Sequence, residues 1–152
     1  MSTADPRVAR YAALMNRRRV LFVCTHNSAR SQMAEGMLRA WAGDRFEVAS
    51  GGTEATGVRP EAIVAMAELG IDIRGHASKT IEQFIGQPWD WLIPVCEEAC
   101  EACPYVPGAQ TVLRWAFDDP SAATGTEQQR LGEFRRVRDE LASQVRAFIA
   151  AT

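Results

Sequence analysis

The chain has 152 residues, 47% of them hydrophobic and 24% charged, with a formal net charge of −2. That is an ordinary composition for a globular protein, long enough for one domain that buries about 70% of its unfolded surface. The near-neutral charge gives no reason to expect nucleic acid or an anionic membrane as a partner. No apolar run nears the roughly 18–20 residues of a membrane span, and no secretory segment follows Met1, so a cytoplasmic protein is expected. Four cysteines in such a chain are expected to be thiols when made, with any disulfide catalytic.

Residues 1–18 form an amino-terminal extension and a weak helix candidate, with Pro6 in its first turn and Val8, Tyr11, Leu14 and Met15 on one stripe. The domain proper is expected over 19–152. Val20-Leu21-Phe22-Val23 reads as a buried parallel strand ending on Cys24. A helix follows over 31–41, with Met33, Met37, Leu38 and Trp41 at helical spacing and a stop near Gly43. Residues 46–49 make a second strand, with Ser50-Gly51-Gly52-Thr53 as a turn. Pro60 opens a helix that runs to Leu69 and is closed by Gly70. A brief extended piece (71–73) and a helical turn or two (79–85) lead to a third strand at 89–95. A fourth strand is expected at 111–117. The terminal helix (127–150) carries the stripe Leu131, Phe134, Val137, Leu141, Val145 and Phe148, which is core packing. Strands alternating with helices predict an α/β fold: a single three-layer domain with a four-stranded parallel sheet flanked by helices.

The stretch that carries chemistry is Cys24-Thr25-His26-Asn27-Ser28-Ala29-Arg30-Ser31. A cysteine, five residues and an arginine at a strand-to-helix turn build a cradle for a tetrahedral oxyanion. Loop amides and the helix N-terminus supply N–H groups and positive potential. Arg30 offers a fork that fits two oxygens of phosphate, sulfate or arsenate. The same field favours thiolate over thiol, so Cys24 is expected to be the nucleophile. Asn27 and Ser28 are expected to orient the loop, and His26 receives no catalytic role. This loop, the later cysteines and the aspartates at 118–119 all follow the carboxyl ends of strands, where ligands bind in such sheets.

The other three cysteines, Cys96, Cys100 and Cys103, sit among Glu97, Glu98 and Glu101. Their spacing resembles that of an iron–sulfur site in radical enzymes, but those need a larger barrel than this chain supplies. Zinc would need a fourth ligand, with His76 or Cys24 the candidates. Three carboxylates argue against buried structural thiols. A redox loop is the remaining reading: thiol–disulfide exchange needs a second thiol within reach of the first and a third to pass the oxidation outward.

Cys24 through Gly36, Ser50-Gly51-Gly52-Thr53, Pro60-Glu61-Ala62, the pair Cys96 and Cys103, Trp115-Ala116-Phe117-Asp118-Asp119-Pro120 and Phe134 through Glu140 together resemble one family. It is the arsenate reductases built on the low-molecular-weight protein-tyrosine-phosphatase fold. The resemblance runs from about Arg19 to about Ile149. It implies arsenate held by Thr25, His26, Asn27, Ser28, Ala29 and Arg30, with Ser31 and Ser50 in support. It implies Cys24 as nucleophile, Asp119 as proton donor, and a disulfide relay from Cys24 to Cys96 to Cys103. Phosphate or sulfate would compete for the cradle. Electrons would come from thioredoxin or a glutaredoxin-type reductant, with no bound cofactor, and a monomer is expected.

Two departures stand out. Ala29 occupies a position where relatives often carry cysteine. Asn27, Glu35 and Ser50 match part of a site where some relatives hold potassium, but the remaining acidic ligand falls at Lys79; the expectation is no metal. Asp118 competes with Asp119 for the acid role, and Cys100 with Cys103 for that of resolving thiol. The competing functions are a low-molecular-weight tyrosine phosphatase, whose acid loop typically carries tyrosines where Ser121-Ala122-Ala123-Thr124 follow here, and a thiol-based metal or arsenite sensor.

Overall fold

The computed structural model describes residues 5–97 and 106–152, except for the side chains of Ala13 and Leu14. In chain order the elements are α1 (Pro6–Met15), β1 (Arg18–Cys24), α2 (Arg30–Ala42), β2 (Phe46–Gly52), α3 (Pro60–Ala67), β3 (Trp89–Pro94), β4 (Ala109–Val112) and α4 (Glu127–Ala151). Single 3₁₀ turns lie at Ile81–Phe84 and Pro120–Ala122. The four strands form one parallel sheet in the order β2-β1-β3-β4, flanked by the helices. This is the expected α/β architecture.

β1 is central, and its Val20 to Val23 are fully buried, which explains a continuous apolar run in place of an alternating one. α2 packs on β1 and β2, and α4 packs on α2 and α3. The terminal-helix stripe is core as expected: Phe134, Val137, Leu141 and Val145 are buried, and Leu131 is partly so. Phe148 joins Phe46, Trp91 and Trp115 in a cluster of tilted and edge-on rings with centroids 5.0–5.8 Å apart. α4 begins with a capping box, in which Thr126 Oγ1 accepts from Gln129 N and Gln129 Oε1 accepts from Thr126 N.

Two boundaries differ most from the sequence expectation, each for a physical reason. Ser50, Gly51 and Gly52 belong to β2 rather than a turn, paired with Phe22, Val23 and Cys24. The glycines there answer to close approach: a Cβ on Gly52 would lie 2.7 Å from Thr25 O and 2.8 Å from Asn27 N. β4 ends at Val112, short of the expected 117. Leu113 N donates to Leu92 O and Trp115 N to Pro94 O, but Pro94 has no N–H to return, so the ladder becomes one-sided.

α1 forms over the candidate helix. Its Val8, Tyr11 and Met15 are 61–67% exposed; Leu14, placed with them on one stripe, lies outside the described side chains.

Candidate active site

Cys24 is the last residue of β1 and Arg30 the first of α2, so the five residues between them span the carboxyl edge of the sheet at its centre. Asn27 is the one non-glycine residue with positive φ (49°) among the described residues. Asparagine tolerates that region, and here it curls the loop so that Asn27 N donates to Cys24 Sγ at 3.2 Å. Ser31 Oγ lies 2.8 Å from the same sulfur. Cys24 itself is 2% exposed. A thiolate there is therefore met by a backbone N–H and a hydroxyl, as well as by the amino end of α2. Ala29 stands at the capping position and has no polar side chain to cap that end, so among the described residues its first-turn N–H groups keep no side-chain acceptor.

The loop is braced from behind by buried polar side chains. Asn27 Nδ2 donates to Ser31 Oγ (2.8 Å) and Ser50 Oγ (2.9 Å). Asn27 Oδ1 accepts from Gln32 Nε2 and from Lys79 N, both at 2.8 Å. Ser50 Oγ in turn donates to Glu35 Oε1. Outer walls hold the loop carbonyls: Glu54 N donates to Thr25 O, and Arg59 N to Ser28 O, both at 2.9 Å. His26 sits at the rim with Nε2 3.8 Å from Glu54 Oε2.

Arg30 is 6% exposed. Its Nη1 donates to Phe117 O at 3.0 Å, and its Nη2 lies 3.7 Å from Asp119 Oδ2. The two aspartates have different partners. Asp118 Oδ2 is 3.1 Å from Arg136 Nη2 on α4, whereas Asp119 caps its 3₁₀ turn through Ser121 N (2.9 Å) and turns its other oxygen to Arg30. Asp119, not Asp118, borders the cradle.

Cys96 follows β3 and is fully buried, in an isolated parallel bridge with Phe117. Its Sγ lies 3.5 Å from Thr25 Oγ1, on the residue next to Cys24. The structure thus brings Cys24, Thr25, Arg30, Cys96 and Asp119 to one place. Cys100 and Cys103 lie outside the described residues.

The potassium-type site does not fit a cation here. Lys79 Nζ lies 3.8 Å from Glu35 Oε1 and donates to Ala77 O at 2.8 Å, with Arg39 Nη1 2.6 Å from Glu35 Oε2. The Glu35 carboxylate is already neutralised, and Asn27 Oδ1 spends its lone pairs on Gln32 and Lys79. Gln32 was the member that sequence reasoning missed. Its signal was available: Gln32 and Glu35 are polar residues inside a helix whose neighbours Met33, Ala34 and Met37 are buried.

A parallel sheet with a cysteine–arginine oxyanion loop at its centre defines a class of phosphatase-like domain, and comparison with known proteins agrees. The model of the low molecular weight phosphotyrosine protein phosphatase family matches residues 19–152. The chain belongs to that family. It is 44% identical to an arsenate reductase of Halalkalibacterium halodurans over 134 residues, 88% of this chain and 96% of that protein. It is 41% identical to an arsenate reductase of Bacillus subtilis over the same coverage. Among solved structures, an arsenate reductase in the phosphate binding state superposes with a TM-score of 0.74 at 35% identity, covering 88% of this chain and 98% of that one. A low molecular weight protein tyrosine phosphatase from T. tengcongensis superposes at 0.72 with 26% identity, covering 89% and 99%. The match to the family begins at Arg19, leaving α1 outside it.

Proposed function

We propose that this protein reduces arsenate to arsenite, as a detoxification enzyme, through a thiol relay. The observation that carries the reading is the buried Cys96 thiol held 3.5 Å from Thr25 Oγ1 at the wall of the nucleophile loop. A phosphatase needs Cys24, Arg30 and Asp119, but it has no use for a second thiol there.

The chemistry follows from the groups present. The Cys24 thiolate attacks pentavalent arsenic held by the loop amides and the Arg30 fork, and an oxygen leaves as water with a proton from Asp119. The product is a covalent Cys24 Sγ–As bond. Cys96 then attacks Cys24 Sγ: the S–S bond forms, the S–As bond breaks, and its electron pair stays on arsenic, which departs as trivalent arsenite. Cys103 attacks Cys96 in turn, forming a Cys96 to Cys103 disulfide and freeing the Cys24 thiolate. A dithiol protein of the thioredoxin type, or a glutaredoxin-type reductant, returns two electrons to that disulfide. Phosphate and sulfate fit the same cradle but accept no electrons, so they act as competitors. The enzyme works as a monomer in the cytoplasm.

The test is arsenate-dependent NADPH oxidation with thioredoxin and thioredoxin reductase, comparing the native chain with Cys96→Ser and Cys103→Ser. Turnover abolished by both substitutions supports the relay. Turnover surviving Cys103→Ser makes Cys100 the resolving thiol. Absence of turnover with brisk aryl-phosphate hydrolysis moves the protein to the phosphatases.

A further inference from the structure

Behind the nucleophile loop, Gln32 is fully buried and Glu35 is 4% exposed, with the largely buried ring of His76 turning its Nδ1 toward both. Hydrogen-bond polarity defines this group. Gln32 Nε2 donates to Asn27 Oδ1 (2.8 Å), Asn27 O (3.2 Å) and Ala77 O (3.0 Å). That leaves Gln32 Oε1 as an acceptor only, so His76 Nδ1, 2.9 Å away, must carry a hydrogen. On the other side of the ring Arg39 Nη1 lies 3.3 Å from His76 Nε2, and a guanidinium can only donate. Nε2 therefore has no hydrogen. The ring is the neutral Nδ1–H tautomer, fixed by a donor on one side and an acceptor on the other.

The chain of contacts then runs inward without a break. His76 orients the Gln32 amide, Gln32 holds both oxygens of Asn27, and Asn27 in its left-handed conformation aims its N–H at Cys24 Sγ. A rotated Gln32 amide would turn its oxygen toward Asn27 Oδ1, repelling the residue whose backbone shapes the loop.

We propose that His76 is a positioning residue for the reaction: it holds the Gln32 amide in the one orientation that keeps the Asn27 N–H directed at the Cys24 sulfur. His76 touches no reacting atom. The charged groups facing it are Glu35 and Arg39 on α2 and Lys79 and Asp72 on its own segment. Burial lowers the proton affinity of the ring, with Arg39 and Lys79 acting in the same direction against the pull of the Glu35 carboxylate, which agrees with a neutral ring.

The proposal rests on Cys24 as the nucleophile, and the experiment separates the two. The native chain, His76→Asn and His76→Gln are compared by the rate of Cys24 alkylation with iodoacetamide at pH 7, followed by peptide mass spectrometry, and by kcat/KM for arsenate. An asparagine amide places a donor where Nδ1 stood; a glutamine amide reaches the Nε2 position and leaves Gln32 unsupported. Both substitutions remove the ring, so any loss of packing is shared. The expected result is alkylation and kcat/KM near native for His76→Asn, and about tenfold lower for His76→Gln, the scale of one lost hydrogen bond. Equal rates in the two variants overturn the role of His76 while leaving Cys24 in place. Alkylation of native Cys24 no faster than of the urea-unfolded chain overturns the Cys24 reading, and this proposal with it.

Discussion

Thr25 Oγ1 and Cys96 Sγ lie 3.5 Å apart, joining the residue after Cys24 to the thiol that follows β3. The hydroxyl can donate to a developing Cys96 thiolate at the wall of the oxyanion loop. Thr25→Val keeps the shape and removes that donor. Arsenate reduction should slow by roughly 3–10-fold in kcat, the value of one hydrogen bond. Competitive inhibition by phosphate, which reports the cradle alone, should stay at its native strength. Steady-state kinetics with phosphate titration checks both.

Lys79 and Glu35 make a second informative pair, with Nζ 3.8 Å from Oε1. The ammonium occupies the charge role that a monovalent cation would otherwise fill. Activity in sodium and potassium salts at matched ionic strength should be the same. A selective gain in potassium would contradict this assignment.

Asp119→Asn removes the carboxyl beside Arg30 that we propose as proton donor, and should lower kcat by about 10²–10⁴-fold. Among the described residues, Asp118→Asn breaks an exposed contact with Arg136, which also meets Glu133 and Glu140. Its effect on stability should stay within about 1 kcal/mol, with kcat near native. Parallel kinetics and urea denaturation of the two variants distinguish the aspartates.

Gly52→Ala tests the backbone crowding at the carboxyl end of β2. The added Cβ would meet Thr25 O at 2.7 Å and Asn27 N at 2.8 Å, and neither is a flexible side chain. A loss of about 1–3 kcal/mol in urea denaturation is expected. A larger proportional loss of activity should accompany it, because the atoms displaced belong to the oxyanion loop.

His76 gives a pH signature to stability. Its proton affinity is lowered in the fold, chiefly by burial. The unfolded chain therefore binds more protons than the folded one below about pH 6.5, the ordinary value for the ring. The stability linked to neutral His76 is full above that pH and declines as pH falls from there toward the depressed folded value. Thermal melts from pH 8 to pH 5 should show this decline in the native chain, and a shallower one in His76→Asn.

The local pattern was enough to read the order of strands and helices, the apolar β1, the Pro60 start of α3 and the stripe of α4, because each follows from short-range periodicity and chain punctuation. The span from Cys24 to Arg30 was legible for the same reason: seven consecutive residues at one strand-to-helix turn form most of a cradle by themselves. What the sequence could not decide depends on groups far apart in the chain. Ser50-Gly51-Gly52 looks like a turn until Thr25 and Asn27 close over it. The end of β4 depends on a missing N–H at Pro94 in the neighbouring strand. The assignment of Asp119 over Asp118 depends on Arg136, 18 positions from Asp118 along the chain. Gln32 and His76, 44 positions apart, acquire their roles only when the fold brings the two side chains together and excludes water, so that each buried donor must find its acceptor.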